Sequence, residues 1–179
     1  MIRTLTLAAL AAVLVAPSAR AQATAAKAPV SDQLFAVTAA DGGLTEVTIA
    51  ELGAQKATNP ELKKFSEHMV AAHTKMNGEL ATLASSKGVA LPKALSAGHQ
   101  FCAQSLAGLS GEEFDRCYAK AQLVVHMSSL AAFEAEAERG QDAGMKALAA
   151  KGVPHIKEHL KMLKPIVMRY EEEKPSTEK

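Results

Sequence analysis

The chain of 179 residues carries 20 Lys+Arg against 19 Asp+Glu, for a formal charge of +1, and is 48% hydrophobic but only 4% aromatic. That is length for one domain and not comfortably for two. The hydrophobic share excludes a chain disordered throughout, and the balanced charge leaves no basic field for nucleic acid and no acidic tail. A composition rich in Ala and Leu and poor in aromatics favours packed helices over sheets.

The first residues read as an export leader. Arg3 supplies the positive start, Leu5 to Val15 form the apolar run, and Pro17 and Ser18 break it. Ala19-Arg20-Ala21 then offers the small-x-small pattern of a cleavage site, so cleavage is expected near Ala21, with a periplasmic or secreted mature protein. The apolar run is short for a hydrocarbon core of about 30 Å, and no later segment supplies a transmembrane helix. The expected division is a leader over 1–21, a flexible linker over 22–30, a helical domain over 31–170 and a disordered tail over 171–179.

Four long helical segments follow. The first, Ser31 to Ala57, carries Leu34, Phe35, Val37, Val47, Ala50 and Ala54, and Gly42-Gly43 predicts a kink or break within it. Asn59-Pro60-Glu61 is a start signal for the second: a side-chain cap, a proline suited to the first turn, and an acid complementing the helix dipole. Its stripe Leu62, Phe65, Met69, His73, Met76, Leu80, Leu83 steps by threes and fours until Gly88. Ser110-x-x-Glu113 has the form of a capping box opening a third long helix, whose stripe runs Ala119, Leu123, His126, Leu130, Phe133, Ala137. The last segment, Asp142 to about Glu172, contains Pro154 and Pro165, which predicts bending or division.

Segments of similar length, each roughly 40 to 46 Å as helix, argue for side-by-side packing. The first and third connections are tight, whereas residues 88–110 form a link long enough to cross the bundle. The expected class is therefore all-α: a ferritin-like four-helix bundle with a long crossover between its second and third helices, with an up-down-up-down bundle as the competitor. Cys102 and Cys117 are the only cysteines, and an oxidising compartment would join them in a disulfide staple.

Glu46, His73, His126 and His159 each lie near the midpoint of one segment, so they share one height whichever way the helices run. His73 and His126 replace apolar residues in their stripes, and His159 lies in the row His155, His159, Leu163, Ile166. One polar group per helix at mid-bundle is how bundles build metal sites. Three imidazoles and one carboxylate suit a transition metal ion such as zinc, copper or iron. The same set can instead form a metal-free Glu–His network that fixes helix register. Met69, Met76, Met127 and Met162 near the histidines add soft sulfur that would favour copper, although Met at helical spacing is ordinary core filling. Asp115, Tyr118 and His155 are candidates to support the site from one shell out.

Enzymatic signatures are missing. The residues three before each histidine are Phe65, Val70, Ser96, Leu123, Gly152 and Ile156, so the Glu-x-x-His of diiron bundles does not occur. HExxH, GxxxxGK[ST] and GxGxxG are absent too.

Several stretches, taken together, resemble the bacterial family known as domain of unknown function 4142. They are Gly42-Gly43-Leu44-Thr45-Glu46, Asn59-Pro60-Glu61-Leu62-Lys63-Lys64-Phe65 with Met69-Val70-Ala71-Ala72-His73-Thr74, Phe114-Asp115-x-x-Tyr118 before His126, and Val153-Pro154-His155 before His159-Leu160. The resemblance spans about residues 31–166; Cys102 and Cys117 fall outside its pattern. It implies an exported ferritin-like bundle that keeps the Glu and His positions, and it implies no activity. The expectation is thus a metal-binding bundle, serving in buffering or stress. The alternative is a structural module that meets an envelope protein or a second copy of itself.

Overall fold

In the computed structural model, which describes residues 27–172, the chain forms α1 (Val30–Lys56), α2 (Pro60–Ser86), α3 (Ala97–Ala107), α4 (Gly111–Arg139) and α5 (Ala143–Glu172). The expected leader, most of the linker and the end of the tail lie outside the described residues. Lys27 to Pro29 are described, and Ala28 is already buried in the core; at the other end α5 continues through Glu171 to Glu172.

Local chemistry sets most boundaries. Asn59 Oδ1 accepts from the backbone N–H of Glu61 at 2.9 Å and of Leu62 at 3.2 Å, and Pro60 takes the first position. At the far end of α2, Gly88 adopts φ 65°, and Val89 N–H returns to Ala84 O at 2.9 Å. This left-handed cap places Val89 in the core. The capping box at Ser110 is not made: its side chain bonds no backbone N–H, because the chain enters α4 through Gly111 at φ 59°, a turn that favours glycine.

Three ties fix the helix directions. Asp115, near the start of α4, accepts from the backbone N–H groups of Thr58 and Asn59 in the α1–α2 turn. Asp32, at the start of α1, accepts from Gln141 and Asp142 in the α4–α5 turn, and Lys87 beyond α2 pairs with Asp142 at 2.7 Å. Hence α1 and α5 run one way, α2 and α4 the other, and the link between α2 and α4 must climb the whole bundle. Neighbours are α1 with α2 and α4, and α5 with α4 and α2. This is the expected four-helix bundle with a long crossover.

The crossover carries a short helix, α3, that the sequence pattern does not announce. Its single buried residue is Leu106, and α3 is held to α1 by Asp41, which receives the backbone N–H of Ser96 at 2.8 Å and lies 2.8 Å from His99 Nδ1.

Other expectations need correction. Gly42-Gly43 does not divide α1, which runs unbroken. The glycines instead allow close packing: a Cβ at Gly43 would stand 2.0 Å from Asn77 Oδ1 of α2, and one at Gly42 3.2 Å from Ser129 Oγ of α4. Pro154 and Pro165 do not divide α5. Both are solvent-exposed, so the carbonyls they leave unbonded face water. Leu34 and Val37 lie outside the core, at 63% and 38% exposure. Cys102 and Cys117 are not joined in this structure; each is half-buried against the apolar end of the bundle, and burial pushes the Cys102 thiol up.

Among the described residues the core has two apolar clusters. One, around Phe35, Leu80, Phe133 and Ile156, fills the end near the α4–α5 turn; the other, around Ile49, Phe65, Phe114 and Leu163, fills the opposite end. Between them lies a polar layer.

Candidate metal centre

That layer contains Glu46 from α1, His73 from α2, His126 from α4 and His159 from α5, with relative exposures of 2%, 2%, 0% and 2%. Each sits on the inward face of its helix. Burying four such groups is costly unless each has a partner.

The partners fall into two sets. Glu46 Oε2 accepts from His73 Nδ1 at 2.8 Å, while Oε1 lies 3.5 Å from His126 Nδ1 and 3.3 Å from Ser129 Oγ. His126 Nδ1 donates to the Gln122 carbonyl, one turn earlier, at 2.9 Å. With both Nδ1 protons engaged, the Nε2 atoms of His73 and His126 carry lone pairs. They face His159 Nδ1 at 3.3 and 3.4 Å. The three rings splay about this point, with centroids 5.1 to 5.4 Å apart.

The three histidines thus offer nitrogens within 4.8 Å of one another, a set able to hold a metal ion. Metal–imidazole bonds of about 2.0–2.1 Å in a tetrahedral site put ligand nitrogens roughly 3.3–3.4 Å apart. Good N–H···N hydrogen bonds are shorter, at about 2.9–3.0 Å. Glu46 is in the layer but behind His73, on the side away from the converging nitrogens.

Burial keeps two of the imidazoles, those of His126 and His159, in the ligating form. Burial lowers the His159 pKa to about 3, reinforced by its neighbours His73 and His126. Burial also lowers that of His126, against the opposing pull of Glu46. For Glu46, burial pushes the carboxyl up, but attraction to His73, the His73 hydrogen bond, His126 and Ser129 together bring it below its ordinary value.

Of the candidates for a supporting role, Tyr118 is connected to the layer and the others are not. Its hydroxyl lies 2.8 Å from Ser66 Oγ and accepts from Gln122 Nε2 at 3.1 Å, so it holds the residue whose carbonyl orients His126. Burial pushes the Tyr118 hydroxyl up to about 12, partly offset by those hydrogen bonds. Asp115 belongs to the bundle end, clamping the α1–α2 turn. His155 is exposed, at the mouth of a cavity that reaches the layer. The sequence reading missed Gln122 and Ser129. Gln122 stands four residues before His126, the spacing at which a helical carbonyl meets a histidine ring, but a contact through a backbone atom leaves no side-chain signature. Met69 fills the apolar cluster, and Met127 and Met162 are 56% and 41% exposed, so core packing and surface account for these three.

Fold and site together define a class: a four-helix bundle with a crossover and an interior tri-histidine layer backed by a carboxylate. Residues 16–166 match the family described as Domain of unknown function (DUF4142), and the chain belongs to that family. Among solved structures it is similar to the DUF305 fragment from Deinococcus radiodurans, with a TM-score of 0.70 at 10% identity over 80% of this chain and 99% of that one, a likeness of fold. No curated protein matches.

Proposed function

We propose that this protein binds one transition metal ion through His73 Nε2, His126 Nε2 and His159 Nδ1, with Glu46 as the positioning carboxylate that orients His73 and balances charge. The observation that carries this is the convergence of three nitrogens at 3.3 and 3.4 Å whose two flanking Nδ1 protons are already committed elsewhere. A carboxylate or carbonyl behind each imidazole is how metal-binding histidines are held. The donor set suits zinc, copper or iron. The leader pattern supports action outside the cytoplasm, after cleavage near Ala21. Binding is the activity proposed.

One observation favours a second reading. A single proton on His159 Nδ1 can be shared between the two facing Nε2 atoms, which satisfies the layer without an ion and makes it a register-fixing network in a structural or interaction module.

Elemental analysis of untagged protein separates the two. Metal binding predicts about one ion per chain, lost in His159→Ala and in His73→Ala. Absence of any metal after incubation at micromolar concentration, with the fold intact, would leave the network reading in place.

A further inference from the structure

The donor layer is open on one side. A cavity of about 210 Å³ lies between α2 and α5, with Glu46, His73 and His159 in its inner wall, whereas fully buried His126 lies outside its lining. Part of its wall is apolar, with Met76, Leu80, Phe133 and Ile156, and its more exposed part carries His68, His155 and the ion pair of Lys151 with Glu79, 2.6 Å long, between α5 and α2. Two small residues line it. Ala72 lines the α2 side, and Gly152 on α5 meets the Phe133 ring, where a Cβ would stand 2.5 Å from the ring edge. A cavity of about 150 Å³ accepts benzene, so this one has room for a single ring with a short head group.

The chemistry of that head follows from charge, and here the inference rests on the metal reading. Three neutral imidazoles leave the charge of a divalent ion unchanged, and the Glu46 carboxylate offsets one unit. One positive charge then remains, and three protein ligands leave a coordination position open. We propose that the cavity binds a small organic monoanion of about one ring, its anionic head completing the coordination of the ion and its apolar body lying against Leu80, Phe133 and Ile156. Burial of the ring supplies selectivity for such a ligand over an anion of the same head without a body.

The test uses the untagged full chain loaded with cobalt(II), followed by its visible absorption bands during titration with benzoate and, separately, acetate. Both anions are expected to change the bands, benzoate at concentrations lower by about tenfold or more. Ala72→Leu, which fills the cavity from α2, should keep one cobalt per chain and lose the preference for benzoate; Leu148→Phe from the opposite wall is the second variant should the first not fold. Bands that benzoate leaves unmoved, equal response to the two anions, or a preference that survives both substitutions would each overturn the inference while the metal reading stands. Failure of cobalt to bind at all sinks the metal reading, and this inference with it.

Discussion

Glu46→Gln separates a carboxylate that serves a metal from one that merely pins helices. The substitution keeps shape and an acceptor for His73 Nδ1 at 2.8 Å, and removes only the charge. In the apo protein the amide keeps the His73 hydrogen bond but loses the interactions that hold the carboxyl ionised, so a modest loss of stability, of about 1 kcal/mol, is expected. Metal affinity should fall by about 10- to 100-fold, the usual effect of losing a carboxylate behind a ligating histidine. The upper part of that range is expected because Oε1 also lies 3.5 Å from His126 Nδ1. At zinc 100 times the wild-type Kd, binding stabilises the wild type by about 2.7 kcal/mol, and the variant by about 0.4 to 1.4 kcal/mol at the same concentration. For a domain of this size each kcal/mol moves Tm by about 2–4 °C, so the zinc-induced rise should shrink from about 5–11 °C to about 1–6 °C. Thermal unfolding with and without zinc reads both quantities. An unchanged zinc-induced rise would refute the reasoning, as would an apo variant destabilised by several kcal/mol.

The remaining predictions concern the scaffold. Gly53→Ala should destabilise by about 1–3 kcal/mol in urea unfolding, because its Cβ would stand 2.3 Å from Ser66 Oγ and 2.4 Å from Tyr118 Cζ. Gly78→Ala, on the exposed face of α2 with nothing within 4 Å, should stabilise by about 0.5–1 kcal/mol in the same assay. Asn59→Ala removes the α2 cap and should cost about 0.5–2 kcal/mol, and Asp115→Ala, which strands the turn donors of Thr58 and Asn59, should cost more. The Glu136 carboxyl is pushed up to about 7, first by burial and then by the hydrogen bond and charge of Asp32 and the charge of Asp142. The unfolded chain releases that proton near pH 4.3 while the folded one keeps it to about 7, so the contribution of Glu136 to stability should fall as pH rises through this window, by on the order of 2 kcal/mol, and level off above it. The difference in unfolding free energy between the wild type and Glu136→Gln, followed across pH 4–8, should fall through this window, because the opposing titration of buried His126 and His159 is common to both proteins and cancels.

The long helices and the height of the polar layer are legible in the sequence because both rest on strictly local signals. Asn59-Pro60 caps a helix wherever it occurs, and a histidine within an apolar stripe must face the core. What was misread depends on neighbours. Gly42-Gly43 looks like a break until α2 and α4 are seen to occupy the space where its Cβ atoms would be. Pro154 and Pro165 look disruptive until their exposed side is known. The α3 helix has one buried residue, and its anchor, Asp41, is some 55 residues away. Axial position placed Glu46 at the right level, but not on one side or the other of His73; that depends on helix rotation, which the weakly patterned α1 does not reveal. The cysteine pair was joined on compartment and number alone, whereas bonding depends on geometry that neither supplies.

X-ray absorption at the zinc edge of the loaded, untagged protein tests the central claim most directly. One ion per chain is predicted, with three imidazole nitrogens at about 2.0–2.1 Å, a light atom from outside the chain in the fourth position, and no sulfur. Zinc that fails to bind in stoichiometric amount, or that binds with fewer than three histidines, would contradict it.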